Sequence, residues 1–246
     1  MGALDAEISH LKGGMIVHKE KILVGRVFSI GTLEGEDVVL VKAGVGKVNA
    51  ALTAQILIES FDIQSLIFTG VAGGIDTSLH VGDIVISSKV IQHDYGLISP
   101  DGFHPLVIRL PQGKEEEKHT THFLSDSLLI KLALTAVKKT NFPESPFTKN
   151  KPKVVLGVVV TGDQFIASEE KRKWLEETFQ ASCVEMEGGA VAQICTTYDI
   201  PFVILRSLSD LANEEATIDF EKFVDYASKN STLLVLQIVK TMEHSQ

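Results

Sequence analysis

The sequence predicts an α/β protein whose central sheet carries helices on both faces. Continuous apolar runs such as residues 65–69 and 202–206 read as strands covered on both sides, because nothing in them alternates with polar residues. These runs alternate with segments of helical period. The chain has 246 residues, 44% hydrophobic and 22% charged, an ordinary globular composition with enough length for one large core. No internal repeat and no Pro/Gly/Ser linker divides it, so residues 1–246 are expected to form one domain.

The elements follow in order. Leu4, Ile8 and Leu11 fall at i, i+4 and i+7, the spacing of a short amphipathic helix. Glu7 lies on or beside that stripe, where an inward carboxylate is costly without a partner or a task. Residues 21–30 and 37–43 are β-rich and separated by the polar stretch 31–36, which predicts an antiparallel pair. Gly44-Val45-Gly46 opens a helix over about 47–60. The strand 65–69 ends in the glycine-rich turn 70–74, and 83–87 is a further buried strand. Residues 95–122 show no period and contain Pro100-Asp101-Gly102 and the charged stretch 114–118, so a long surface excursion is expected there. A helix (124–139), a strand (154–160) and a helix (168–179) follow. A short strand at 183–185 leads to a helix from about Gly188, then to the strand 202–206. Phe220, Phe223, Val224, Ala227, Leu234, Val235 and Ile238 mark the apolar face of a long C-terminal helix.

Charge and composition exclude several functions. The net charge is −9 and no basic run exceeds Lys171-Arg172-Lys173, so nucleic acid is not an expected partner. No apolar run reaches the ~18 residues of a membrane span, and the first residues lack the basic and apolar regions of a signal peptide. Cys183 and Cys195 stand in apolar surroundings and read as buried thiols of a reducing compartment, making the cytoplasm the expected location. Their spacing fits no zinc motif, and His93, His104, His119 and His122 lack helical pairing, so no metal is expected.

Four carboxylates follow or interrupt apolar elements: Glu7, Glu185, Glu187 and Asp210. Ligands of open α/β sheets gather at the carboxyl ends of strands, where Asp210 falls. The competing reading is a helix cap or an ion pair, and Arg206 near Asp210 suggests such a pair. The 70–74 segment admits close backbone approach to a ligand but is neither a phosphate loop nor a dinucleotide fingerprint. No Gly-x-Ser-x-Gly elbow favours a serine hydrolase.

Seven motifs occur together in order: Gly2-Ala3-Leu4-Asp5-Ala6-Glu7, Gly44-Val45-Gly46-Lys47-Val48-Asn49-Ala50-Ala51, Thr69-Gly70-Val71-Ala72-Gly73-Gly74, Val81-Gly82-Asp83-Ile84-Val85, Thr161-Gly162-Asp163-Gln164-Phe165-Ile166, Val184-Glu185-Met186-Glu187-Gly188 and Arg206-Ser207-Leu208-Ser209-Asp210. In these the chain resembles the 5′-methylthioadenosine/S-adenosylhomocysteine nucleosidases of the purine nucleoside phosphorylase superfamily, over nearly its whole length. The resemblance implies a three-layer α/β/α sandwich with a distorted, mixed central sheet, a homodimer, a purine nucleoside as ligand, and no cofactor. It assigns Glu7 as the base on the attacking water, with Arg206 orienting that water or Glu7. Met186 and Glu187 hold the ribose, with Glu185 beside them in the site. Phe165 stacks on the purine, Ile166 bonds it through the backbone, Asp210 serves N7, and Ala72 and Gly73 line the ribose–purine junction.

The chemistry fits that assignment. Cleaving an N-glycosidic bond generates an oxocarbenium-like sugar and a purine anion. An acid on the purine and a base on the opposite face of the sugar answer those two charges. The chain also departs from its relatives. Those carry a strand before the Gly-Ala motif, whereas here Met1-Gly2 come first. Val71 replaces a hydroxyl residue, Gln164 replaces a small one, and the 95–122 excursion differs from the usual 5′-pocket loop. Two alternatives are a purine nucleoside phosphorylase and a non-catalytic nucleoside-binding or storage protein of the same fold. The strand Leu66-Ile67-Phe68-Thr69 lacks the arginine that phosphorolysis needs. Glu7, Glu187 and Asp210 argue against the second.

Overall fold

The computed structural model describes residues 1–113, 116–145 and 149–243. Helix α1 (Asp5–Gly14) buries Leu11 and, less usually, Glu7. Strands β1 (Ile16–Leu23), β2 (Arg26–Leu33) and β3 (Glu36–Val41) form an antiparallel sheet. The expected pair is therefore three strands. A turn at Val24-Gly25 divides residues 21–30, with Val24 at φ 48°, a region that a β-branched residue seldom enters. The second turn narrows to Glu34-Gly35.

Helix α2 (Lys47–Ser60) has the expected bounds. Strand β4 (Leu66–Gly74) then runs straight through the glycine-rich segment expected as a turn. Strand β5 (Ile84–Gln92) likewise outlasts its expected end. The excursion is not irregular. It holds the hairpins β6 (Gly96–Ser99)/β7 (Gly102–Pro105) and β8 (Ile108–Pro111)/β9 (Glu117–Thr120), then β10 (Phe123–Leu124). Residues 114–115 of its charged stretch lie outside the described residues. Strands of four residues are too short to show alternation, and Phe103 fastens the first hairpin edge-on against Trp174, at 5.6 Å between centroids. Helix α3 (Ser127–Val137) starts later than expected because Asp126 caps it, accepting from the Leu129 amide at 2.8 Å.

Strand β11 (Val154–Thr161), helix α4 (Glu169–Phe179, capped by Ser168), strand β12 (Cys183–Glu185) and helix α5 (Gly188–Thr197) come next. Strand β13 (Phe202–Asp210) and helix α6 (Ala216–Glu243) complete the order. The central sheet runs β10-β5-β11-β12-β4-β13. Strand β13 pairs parallel with β4 and also antiparallel with β5, so the sheet curls until its far strands meet. One apolar cluster joins the sheet to α2 and α5, and a second joins its other face to α1, α3 and α6. The result is a three-layer α/β/α sandwich with a mixed, distorted sheet. Met1 lies beside β4, where its carbonyl accepts from the Thr69 amide at 2.9 Å, and Gly2 bridges Lys42. This brings the start of α1 to the carboxyl end of β4. Among the described residues no helix is long and apolar enough to cross a membrane. Cys183 and Cys195 are buried free thiols.

Asp83 fastens the starts of β5 and β11. Its carboxylate accepts from the His80 amide at 2.9 Å and the Lys153 amide at 2.8 Å, and its carbonyl accepts from the Leu208 amide at 2.8 Å. Asp83→Ala orphans two amides and is expected to lower the unfolding free energy by about 3 kcal/mol in urea titrations. An unchanged value would remove Asp83 from that role.

Candidate active site

The carboxyl ends of β4, β12 and β13, the first turn of α1 and the 164–166 segment surround a cavity of about 160 Å³. Nine expected residues line it: Glu7, Ala72, Gly73, Phe165, Ile166, Glu185, Met186, Glu187 and Asp210. The tenth, Arg206, lies outside that lining and is completely buried.

Glu7 is held by backbone. One carboxylate oxygen accepts from the amides of Ala3 (2.5 Å) and Leu4 (2.9 Å), the other from Val71 (3.1 Å). Burial raises its pKa, against the pull of Arg206 and of these three amides. Gly70 allows Glu7 and Arg206 to converge. A Cβ there would stand 2.0 Å from Arg206 Nη1 and 2.6 Å from Glu7 Oε1.

Arg206 does not pair with Asp210. Its Nη2 bonds Glu185, lies 3.5 Å from Glu187 Oε2, and the guanidinium sits 4.5 Å above the Phe68 ring. Burial works against its charge, but Glu185, Glu187 and Glu7 prevail and raise its pKa. Glu185 also accepts from the Thr161 hydroxyl and from the amides of Glu187 (3.1 Å) and Gly188 (2.7 Å). Both of its oxygens are thus engaged by the protein, although the residue borders the cavity.

Glu187 occupies the residue before α5 without its side chain bonding that helix, and accepts instead from the Gly46 amide at 2.9 Å. Burial, then the charge of Glu185, pushes its pKa up to about 7 despite Arg206. Asp210 ends β13, accepting from the Ala212 amide and the Ser209 hydroxyl, each at 2.9 Å. Burial pushes its pKa up to about 6, with those two donors opposing. The carboxylates therefore sit in different fields: Glu7 against three amides and a guanidinium, Asp210 with one amide and one hydroxyl.

Phe165 is 48% exposed at the mouth and meets Phe220 of α6 edge-on at 5.7 Å. The apolar period of α6 assigned Phe220 to the core, and only tertiary contact brings it to the cavity. Ala3, Leu4, Val45, Val71, Val184 and Ser209 also line the wall without having been singled out as site residues, as does Gln164. Among the described residues no cluster of His, Cys, Asp or Glu is arranged to hold a metal.

The Asp210 carboxyl takes its proton near pH 6 when folded, against an ordinary value of 3.8. The folded chain therefore binds more protons between those values, and stability falls as pH rises across them. Asp210→Asn has no proton to lose. Relative to wild type it should gain on the order of 3 kcal/mol between about pH 4 and about pH 7 in paired denaturant titrations. A pH-independent difference would show that Asp210 titrates normally.

The model of the Phosphorylase superfamily matches residues 3–240. A 5′-methylthioadenosine/S-adenosylhomocysteine nucleosidase of Geobacillus sp. (strain WCH70) is 36% identical over 99% of this chain and 97% of its own. The crystal structure of such a nucleosidase from Colwellia psychrerythraea 34H, in complex with adenine, superposes with a TM-score of 0.83 at 36% identity, covering 98% of this chain and 93% of that one. Futalosine hydrolase of Helicobacter pylori strain 26695 superposes with a TM-score of 0.81 at 31% identity, covering 97% and 94%. With the fold and the ordered motifs in agreement, the chain belongs to the 5′-methylthioadenosine/S-adenosylhomocysteine nucleosidase family of the phosphorylase superfamily.

Proposed function

We propose that the protein hydrolyses the N-glycosidic bond of 5′-methylthioadenosine, S-adenosylhomocysteine or a related 5′-substituted adenosine, releasing adenine and the free sugar. The observation that carries this reading is two buried carboxylates, Glu7 and Asp210, bordering one cavity in unlike electrostatic surroundings. Glu7 takes a proton from water as its oxygen bonds C1′, while the C1′–N9 bond breaks and Asp210 delivers a proton to N7. Glu187 receives the ribose hydroxyls, and Met186 packs on the sugar face. Phe165 stacks on the purine, the backbone of Ile166 bonds it, and Ala72 and Gly73 leave room at the junction.

Arg206 works from behind the wall, favouring the ionised forms of Glu7 and Glu187. Glu185 holds Arg206 and the first amides of α5, and we assign it to that task rather than to substrate contact. Phosphorolysis is disfavoured because β4 brings no arginine to the cavity and Arg206 is already bound to Glu185. A purely binding role does not explain a buried carboxyl with its pKa at about 6. Val45, at the cavity just before α2, and Val48 and Leu52 on that helix leave exposed apolar side chains, which favours a homodimer. The two buried thiols suit a reducing cytoplasm.

Incubation with methylthioadenosine should release adenine without phosphate. A sugar phosphate formed only when phosphate is present would overturn hydrolysis. Glu7→Gln should still bind nucleoside while turnover falls about 10²–10⁴-fold. Near wild-type turnover would return Glu7 to a structural role.

Asp210→Asn should lower kcat more than it changes KM on adenosine substrates. It should also flatten the decline of kcat/KM expected as pH rises through about 6, where the acid loses its proton. Nitrophenyl ribosides, whose leaving group needs no proton, should be spared. Equal damage on both substrates would assign leaving-group activation elsewhere.

A further inference from the structure

Outside the cavity lining, three charged residues from three separate elements close a ring. Lys47 opens α2, Asp94 follows β5 and Asp163 follows β11. Lys47 Nζ lies 2.7 Å from Asp94 Oδ1, the Asp163 amide donates to Asp94 Oδ2 at 2.9 Å, and the Lys47 amide donates to Asp163 Oδ1 at 2.8 Å. The adjacent amide, that of Gly46, is the one that holds Glu187. Two successive amides at the start of α2 therefore grip one carboxylate each: Asp163 at the head of the purine-side segment, and Glu187 at the ribose.

We propose that Lys47, Asp94 and Asp163 are positioning residues that fix the 163–166 segment relative to Glu187, a role that rests on the nucleosidase reading. The segment between β11 and α4 has no regular secondary structure. Its backbone is tied at Gly162 (to the Glu185 carbonyl, 3.1 Å), at Asp163 through this ring, and at Ser168 (to the Ala212 carbonyl, 3.2 Å). The ring thus stands immediately before the Gln164-Phe165-Ile166 run that lines the cavity. The Lys47–Asp94 ion pair is partly shielded from salt, since those two side chains are only 20% and 18% exposed, while Asp163 stands exposed at the surface. Burial would raise the Asp94 pKa, yet Lys47 and the Asp163 amide hold it below its ordinary value. His93 closes the floor, because a Cβ on Gly162 would fall 2.4 Å from its Nε2. Breaking the ring removes the tie at Asp163, so the placement of the Gln164-Phe165-Ile166 run against the purine loosens.

The test compares Lys47→Met, Lys47→Arg and Asp163→Ala with wild type in the full chain, reading adenine affinity by calorimetry, methylthioadenosine kcat and KM, nitrophenyl riboside turnover, and melting temperature. Lys47→Met and Asp163→Ala should each weaken adenine binding about tenfold and raise the methylthioadenosine KM in step, since small misplacements of a positioning group have large effects. Nitrophenyl riboside turnover should change less, because that leaving group does not use the purine-side segment, and Lys47→Arg should recover most of the adenine affinity. Unchanged adenine affinity in folded Lys47→Met and Asp163→Ala would overturn the proposal, as would equal losses on both substrates. A wild type that binds adenine without hydrolysing nucleoside would refute the hydrolase reading alone, and the ring would still be judged by adenine affinity.

Discussion

Arg206 has no access to solvent, and a guanidinium in that position must be surrounded by negative charge or it destabilises the fold. Its requirement organises the centre of the molecule. Glu185 comes from β12, Glu187 from the residue before α5, and Glu7 from the first turn of α1, so three elements far apart in the chain converge on one cation. The same requirement explains a detail of β4, where Arg206 and Glu7 converge on one side of the backbone and leave no volume for a Cβ at Gly70. Phe68 below the guanidinium supplies a face that attracts the cation without adding a further carboxylate.

Around that centre the carboxylates divide by what surrounds them. Glu185 is saturated by protein donors and acts as a strut. Glu7 has its orientation fixed by three amides while a cation stands nearby. Asp210 has no cation among the causes of its shift, so burial governs it. The same carboxyl group thereby meets three different environments in one site. The differences arise from burial, backbone donors and distance to Arg206 rather than from the side chains themselves.

The buried strands, α2, α4 and the long α6 were legible because continuous apolar runs and helical period are local signals, and so were Glu7 and Asp210, which interrupt such runs. What failed to show depended on contacts between distant segments. Arg206 and Asp210 look like partners in sequence, but four residues along a strand span about 13 Å, too far for an ion pair. The segment 70–74 has the composition of a turn, and only pairing with β12 and β13 makes it strand. Phe220 carries the period of a core residue, and the ring of Lys47, Asp94 and Asp163 joins residues that no spacing rule relates. In 95–122 the first hairpin is fastened to α4 by an aromatic contact and the second buries Ile108 and Leu110 in the core, anchors that no local pattern announces.

The curl that brings β13 against both β4 and β5 has a consequence for the order of assembly. The strand that closes the sheet comes after every other strand of the chain, and it carries Arg206 and Asp210. Glu7 sits near the opposite end of the sequence. A chain emerging from the ribosome therefore forms its early helices and hairpins while Glu185 and Glu187 still lack their guanidinium, and the cleft cannot assemble before β13 has been made. Such long-range closure slows folding. It also means that a truncated or stalled product, however much local structure it retains, is unable to cleave nucleosides prematurely.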